Sequence, residues 1–321
     1  MLNAHDIPPL EQSPHNPRHD YPDVGVIEDT ESVYTGSSSD ILASELDDEM
    51  LMEMDPRLRE LWGDLEGIIS GDRAWPDEIE RDMRREPINS PCAWYCPIHF
   101  FSHRCGIYIK EECILNATKK IALFVKWQSP NLNRSKAMID LLKSAFYVFF
   151  LHEQFHHKVE SFGIRALVTT GSDRYVRYKS QVYRPTYLTA NCLEESLANS
   201  QSYCRLGEER YRLRVQNTIR DGVREYLKIA IPRQPPGYAE GRNYLSDAKY
   251  MRGLHKLQSQ IIEGSLKPNM SPHHWSVSSG MTTSLFSISD SIYFVLPKGA
   301  LPIFSKSTID PGADVSSRKF N

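Results

Sequence analysis

The sequence predicts an α+β protein that is mostly helical, with a small antiparallel sheet and a disordered acidic N-terminal arm. Three observations carry this. Apolar residues recur at helical spacing over most of the region from 55 to 262. Short aromatic or β-branched runs bounded by Pro and Gly are few, the clearest of them near residues 92–109 and 292–304. Residues 1–50 are rich in Asp, Glu, Ser and Pro and poor in aromatics, a composition that buries too little apolar surface to offset the entropy of ordering.

At 321 residues, 40% hydrophobic and 25% charged, the composition is that of a soluble globular chain. The net charge of −3 conceals an asymmetry: twelve acidic residues and no Lys or Arg lie between His19 and Pro56, so the remainder is basic. The arm could mask that body or the body could bind anions weakly, but no recognised motif accompanies the charge, so no nucleic-acid role is expected. Residues 1–20 contain no apolar signal core, and the longest apolar stretch, Leu141–Leu151, is too short to span a bilayer. The expected location is cytoplasmic, and the six cysteines are expected as thiols rather than a disulfide framework.

Asp55–Ile69 opens on Asp-Pro and carries Leu58, Leu61, Leu65 and Ile68 at helical spacing. Pro76–Arg85 reads as a short polar helix. Cys92–Phe101 and Gly106–Ile109 read as a hairpin, and Lys110 to about Phe124 as a helix. Cys92, Cys96, His99, His103 and Cys105 fall close together, but Cys92 and Cys96 lack the usual zinc spacing, and buried strand cysteines with surface histidines are the better reading. A long helix follows from about Ser135 to Ser161, closed by Gly163. Ile164–Thr169 and Tyr175–Tyr183 read as strands or extended segments. Cys192 to about Leu206 is a helix, with Asn191 and Glu194 at capping-box spacing. Gly207–Ile231 is an amphipathic helix, Arg233–Tyr238 a turn, Asp247–Ile262 a helix and Ser271–Ser289 a loop. Ile292–Leu296 and Leu301–Phe304 form a closing hairpin, and residues 311–321 a flexible tail.

Within the long helix lies His152-Glu153-Gln154-Phe155-His156. Residues four apart sit one above the other on a helix, so both imidazoles can reach one metal ion. Glu153 is rotated by about 100° from His152, where it can hold a metal-bound water without being a ligand. A catalytic zinc takes three protein ligands. Glu194 and Glu195 stand on the helix downstream, and Glu195 shares a face with Asn199, which could hydrogen-bond a ligand histidine. Glu194 competes for the third position, but its capping-box spacing with Asn191 favours Glu195. His157 points away and is a supporting or surface residue; Glu160 is placed to pair with Arg or Lys.

On these residues the chain resembles the gluzincin branch of the zinc metallopeptidases, whose pattern is H-E-x-x-H followed by E-x-x-x-D on a second helix. The match covers His152–His156 and Glu195–Asn199, with Asn199 where Asp is common; Ser196 and Ala198 also resemble the compact regulatory peptidases that cleave phage repressors. The resemblance implies a single zincin-like catalytic domain over residues 51–310 that binds Zn2+ through His152, His156 and Glu195, uses Glu153 as general base and cleaves a peptide or protein substrate. Tyr183, Tyr187 and His273 are candidates for the group that stabilises the oxyanion. The alternative is a zinc-stabilised regulatory or toxin/phage-defence protein without peptidase activity, acting with a partner protein.

Overall fold

The structure, a computed structural model, describes residues 25, 27–36, 55–70, 92–206, 208, 215–269, 288, 291–300 and 302–304. It is mostly helical, with one small sheet. In chain order the elements are β1 (Glu31–Gly36), α1 (Pro56–Ser70), β2 (Ala93–Cys96), β3 (Gly106–Lys110), α2 (Glu111–Ala122), α3 (Ala137–Thr170), α4 (Arg174–Tyr178), α5 (Leu193–Arg205), α6 (Asn217–Ala230), α7 (Asp247–Glu263) and β4 (Ile292–Pro297).

The 34-residue helix α3 is the axis, about 51 Å long at 1.5 Å per residue. Its first half is apolar on nearly every side, and Leu141, Leu142, Phe146 and Leu151 are buried with Ile107 and Ile109 of β3, Phe294 of β4, and residues of α1, α2 and α6. Its second half enters a separate cluster: Phe155, Val159, Phe162 and Ala166 pack with Tyr175 and Tyr178 of α4, Leu193 and Leu197 of α5, and Leu254 and Leu257 of α7. The 3–4 spacing of these residues is what holds the stretch helical. His152 and His156 lie where the two clusters meet.

The sheet has the order β1-β4-β3-β2 and is mixed, not antiparallel throughout. The predicted hairpin is there: β2 and β3 pair antiparallel, Ala93 opposite Ile109 and Cys96 opposite Gly106. β4, however, runs parallel to β3, with Ile107 opposite Ile292. A tight turn obliges two strands to run antiparallel, whereas β4 returns after a helical crossover and can enter in the same direction as β3. Its other edge takes β1 antiparallel, Tyr34 opposite Phe294. Residues 31–36 thus form a strand inside the arm read as disordered. Local chemistry overcomes the acidic composition there: Tyr34 stacks on Phe294 at 5.2 Å and donates to Glu111, and Lys110 pairs with Glu31 at 2.7 Å.

Other expectations change too. Ile164–Thr169 and Tyr175–Tyr183 are helical: the first continues α3 with only Ala166 of its residues in the second cluster, and in the second the β-prone Tyr175, Tyr178, Val182 and Tyr183 are buried in that cluster. Gly163 does not end α3; a Cβ there would lie 2.6 Å from the Cβ of Tyr175, so the glycine lets α4 approach closely. The helix ends at Gly171, in the left-handed conformation with φ 66°. Residues 302–304 do not pair with β4, whose two edges are taken by β1 and β3; instead Ile303 N donates to Glu111 and Phe304 N to Tyr34. Cys92 and Cys113 form a disulfide, against the expectation of thiols. β3 runs directly into α2 and Lys110 N bonds Cys92 O at 2.9 Å, which brings the first turn of α2 over Cys92. No helix among the described residues is long and apolar enough to cross a membrane. The predicted helix at 76–85, nearly all of the 271–289 loop, the tail and His273 lie outside the described residues.

Candidate metal centre

His152 and His156 occupy successive turns of α3, and Glu195 faces them from the first turn of α5. Nε2 of His152 lies 3.3 Å from Nε2 of His156, and Oε2 of Glu195 lies 3.2 Å from the first and 3.6 Å from the second. Zinc bonds of 2.0–2.1 Å at tetrahedral angles require ligand atoms about 3.3 Å apart, so these three atoms have the dimensions of one face of such a tetrahedron. Among the described residues this is the group of three or more His, Cys, Asp or Glu side chains that could hold an ion.

The hydrogen bonds behind the triangle decide which ring nitrogens carry protons. Nδ1 of His152 is 2.9 Å from Oδ1 of Asn199. Nδ2 of Asn199 donates to Oε1 of Gln234 at 2.6 Å and to the carbonyl of Tyr238 at 3.0 Å, so its oxygen must be the atom that faces the histidine. His152 therefore carries its proton on Nδ1. Nδ1 of His156 is 2.7 Å from Oε1 of Glu194, and a carboxylate only accepts. In the neutral form of both rings the Nε2 lone pairs point at each other and at Oε2 of Glu195. Three acceptors at that separation require a cation between them or a proton on one ring.

Burial sharpens the requirement. The side chain of Glu195 is 0% exposed, that of His156 2% and that of His152 13%. Burial alone would lower the pKa of His156, but the charges and hydrogen bonds of Glu195 and Glu194 outweigh it and hold the imidazole well above its usual range. Burial would raise Glu195, yet the two histidines hold its carboxyl well below the usual carboxylate range. Glu194 is likewise lowered, burial being overcome by Lys179 and His156.

Glu194 is not the capping partner of Asn191. The N-cap of α5 is Cys192, without a side-chain cap bond, and Asn191 is exposed. Glu194 accepts from His156 and from Lys179 Nζ at 3.0 Å. Adjacent residues on a helix point about 100° apart, so only one of the pair can enter the triangle. Tyr183 and Lys179 come from a π-helical turn, Lys179–Tyr183, that continues α4. Tyr183 donates to Oε1 of Glu195 at 2.5 Å, which engages the hydroxyl considered for an oxyanion role. Tyr187 stands farther out, its hydroxyl 3.5 Å from that of Tyr238, whose ring lies parallel to His152 with centroids 5.7 Å apart. Glu153, next to His152 on α3, is buried. His157 is wholly buried, with Nδ1 2.9 Å from the Tyr95 hydroxyl. Glu160 pairs with His99, not with Arg or Lys: its carboxylate accepts from His99 Nδ1 at 2.5 Å, from the amides of Ile98 and His99, and from Tyr95. That ties β2 to α3 one turn past His156. Cys96, Cys105, Cys192 and Cys204 stay outside the disulfide.

Sequence reasoning missed Gln234, Tyr238 and Lys179. The turn at 234–238 reaches the site because Gly237, at φ 94°, sits against α5, where a Cβ would meet the Thr189 carbonyl at 2.9 Å. Ser196 Oγ then donates to the Gly237 carbonyl at 2.7 Å. The small residues on α5 were a legible sign of close packing, but not of what packs there. No protein-family model, curated protein or solved structure matches the chain.

Proposed function

We propose that the chain is a zinc metallopeptidase, with His152, His156 and Glu195 as ligands and Glu153 as general base. The observation that carries this reading is the triangle of ligand atoms, 3.2, 3.3 and 3.6 Å on its edges, with both imidazole lone pairs turned inward by the partners on Nδ1. Two neutral imidazoles and one carboxylate are the donor set of hydrolytic zinc sites that keep a position for water. Bound there, zinc would lower the pKa of a water molecule toward neutrality and polarise a substrate carbonyl.

The chain's own groups supply the remaining chemistry. Glu153, next to His152 on α3, takes the proton of the attacking water and passes it to the nitrogen that leaves as the amide bond breaks. Glu194 and Asn199 keep both rings in the ligating tautomer and orientation. An extended peptide adds to β2, the edge strand of the sheet that is tied to α3, through backbone pairing. Glu160 holds that strand and the turn after it at a set distance from the ligand helix.

A second reading, a zinc-stabilised regulatory or toxin/phage-defence module that hydrolyses nothing, draws on the burial of the centre: of the three ligands, His152 alone keeps appreciable side-chain exposure. One experiment separates the two. Elemental analysis of purified protein should find one zinc per chain in wild type and in Glu153→Gln, and peptide-library cleavage followed by mass spectrometry should occur with wild type only. Wild-type protein without zinc would sink both readings; zinc-loaded wild type that cleaves nothing would leave the second.

A further inference from the structure

Glu195 offers two oxygens, and only one faces the histidines. Oε2 lies 3.2 and 3.6 Å from the two Nε2 atoms, while Oε1 accepts from the Tyr183 hydroxyl at 2.5 Å. Tyr183 is itself wholly buried and held from behind: Lys179 Nζ sits 3.3 Å from the centroid of its ring and bonds Glu194 Oε1 at 3.0 Å. The two residues are four apart and occupy opposite ends of the π-helical turn Lys179–Tyr183. An α-helical turn holds 3.6 residues, and the wider π turn shifts the angular offset between positions i and i+4. Here that turn delivers a cation to the carboxylate behind His156 and a hydroxyl to the carboxylate that completes the triangle. π turns of this kind recur at functional sites.

We infer that Tyr183 is a positioning residue that withholds one oxygen of Glu195 from the metal, so that the carboxylate ligates through Oε2 alone and a coordination position stays open for water. The inference rests on the zinc reading above. It assigns the π turn a function distinct from packing: the number of protein atoms on the metal is set by a phenol that never touches it. Removing the hydroxyl while keeping the ring frees Oε1 to turn toward the metal.

The test uses cobalt(II) in place of zinc, because cobalt d–d bands are intense in a four-coordinate site and weaken when a fifth ligand joins. Wild type and Tyr183→Phe should each take up one cobalt per chain. Wild type should show the intense four-coordinate spectrum, and Tyr183→Phe a loss of intensity with a second carboxylate oxygen visible by X-ray absorption. A phenylalanine variant whose spectrum matches wild type overturns the inference and leaves the metal reading standing. Should the variant not fold, X-ray absorption on the wild-type cobalt protein decides alone: one carboxylate oxygen at bonding distance supports the inference, and two overturn it. Wild type that takes up no cobalt overturns the zinc reading, and this inference with it.

Discussion

The adjacent carboxylates Glu194 and Glu195 act on opposite sides of the same histidine. Glu195 faces Nε2 of His156, and Glu194 accepts from its Nδ1. On the proposed zinc reading, removing the first would delete a ligand, and removing the second would leave the ligand set intact and loosen one ring. Glu195→Ala should therefore abolish metal binding, while Glu194→Ala should weaken it about 10- to 100-fold, the usual effect of losing such a partner. Competition against a chelator of known affinity measures both. The same cluster sets a pH dependence. In the metal-free chain the pKa of His156 is raised, so its contribution to stability is complete below about 6.5, the unfolded value, and is lost as pH rises through the raised value. The pKa of Glu195 is lowered, so its contribution is present above about 4.3 and is lost as pH falls through the depressed value. Metal needs the Nε2 lone pair of His156 and binds better as that proton leaves. The gap in unfolding temperature between zinc-loaded and metal-free protein should therefore widen from pH 6 to pH 8.5; a gap that narrows would contradict this account of the cluster.

At the scale of elements, α3 determines the arrangement of the others. It spans both apolar clusters, and its polar residues His152, Glu153 and His156 fall at their junction, where α5 crosses it. The close approach of α4 at Gly163 decides where the π turn lies, and so where Tyr183 and Lys179 reach. A methyl group at 163 would sit 2.6 Å from the Tyr175 Cβ, inside van der Waals contact on a rigid part of the side chain. Gly163→Ala should thus destabilise by about 1–3 kcal/mol, the range for overpacking, despite the better helix propensity of alanine. The denaturant midpoint at unchanged m-value reports it. A stabilised variant would mean that α4 is not seated on α3 at this point.

Over the whole molecule, the sheet joins segments from both ends of the described chain: β1 at 31–36 pairs with β4 at 292–297. The acidic arm is therefore not a simple appendage. Deleting residues 1–50 removes β1, its Tyr34 stacked on Phe294 and the acceptor for the Phe304 amide, and should lower the unfolding temperature, as differential scanning calorimetry would detect. An unchanged temperature would show that β1 contributes nothing to the fold. The Cys92–Cys113 disulfide ties the sheet to α2 on the side opposite β1 in strand order.

Local pattern alone determined the helical character of the chain, the β2–β3 hairpin, the spacing of His152, Glu153 and His156, and the pairing of Glu195 with Asn199 on one face. These are short-range properties, set by periods of 3.6 and 2 residues along the backbone. Tertiary structure alone decided the parallel entry of β4, the helical state of 164–183, the Cys92–Cys113 bond, and the reason that Glu195 rather than Glu194 stands at the triangle, which is the bond of Glu194 to His156 and not a cap on Asn191. Each depends on which surfaces meet: a β-prone run stays helical when its 3–4 stripe finds a cluster to enter, and a carboxylate becomes a ligand only when another helix brings two imidazoles to within about 3.3 Å of it, a tetrahedral edge.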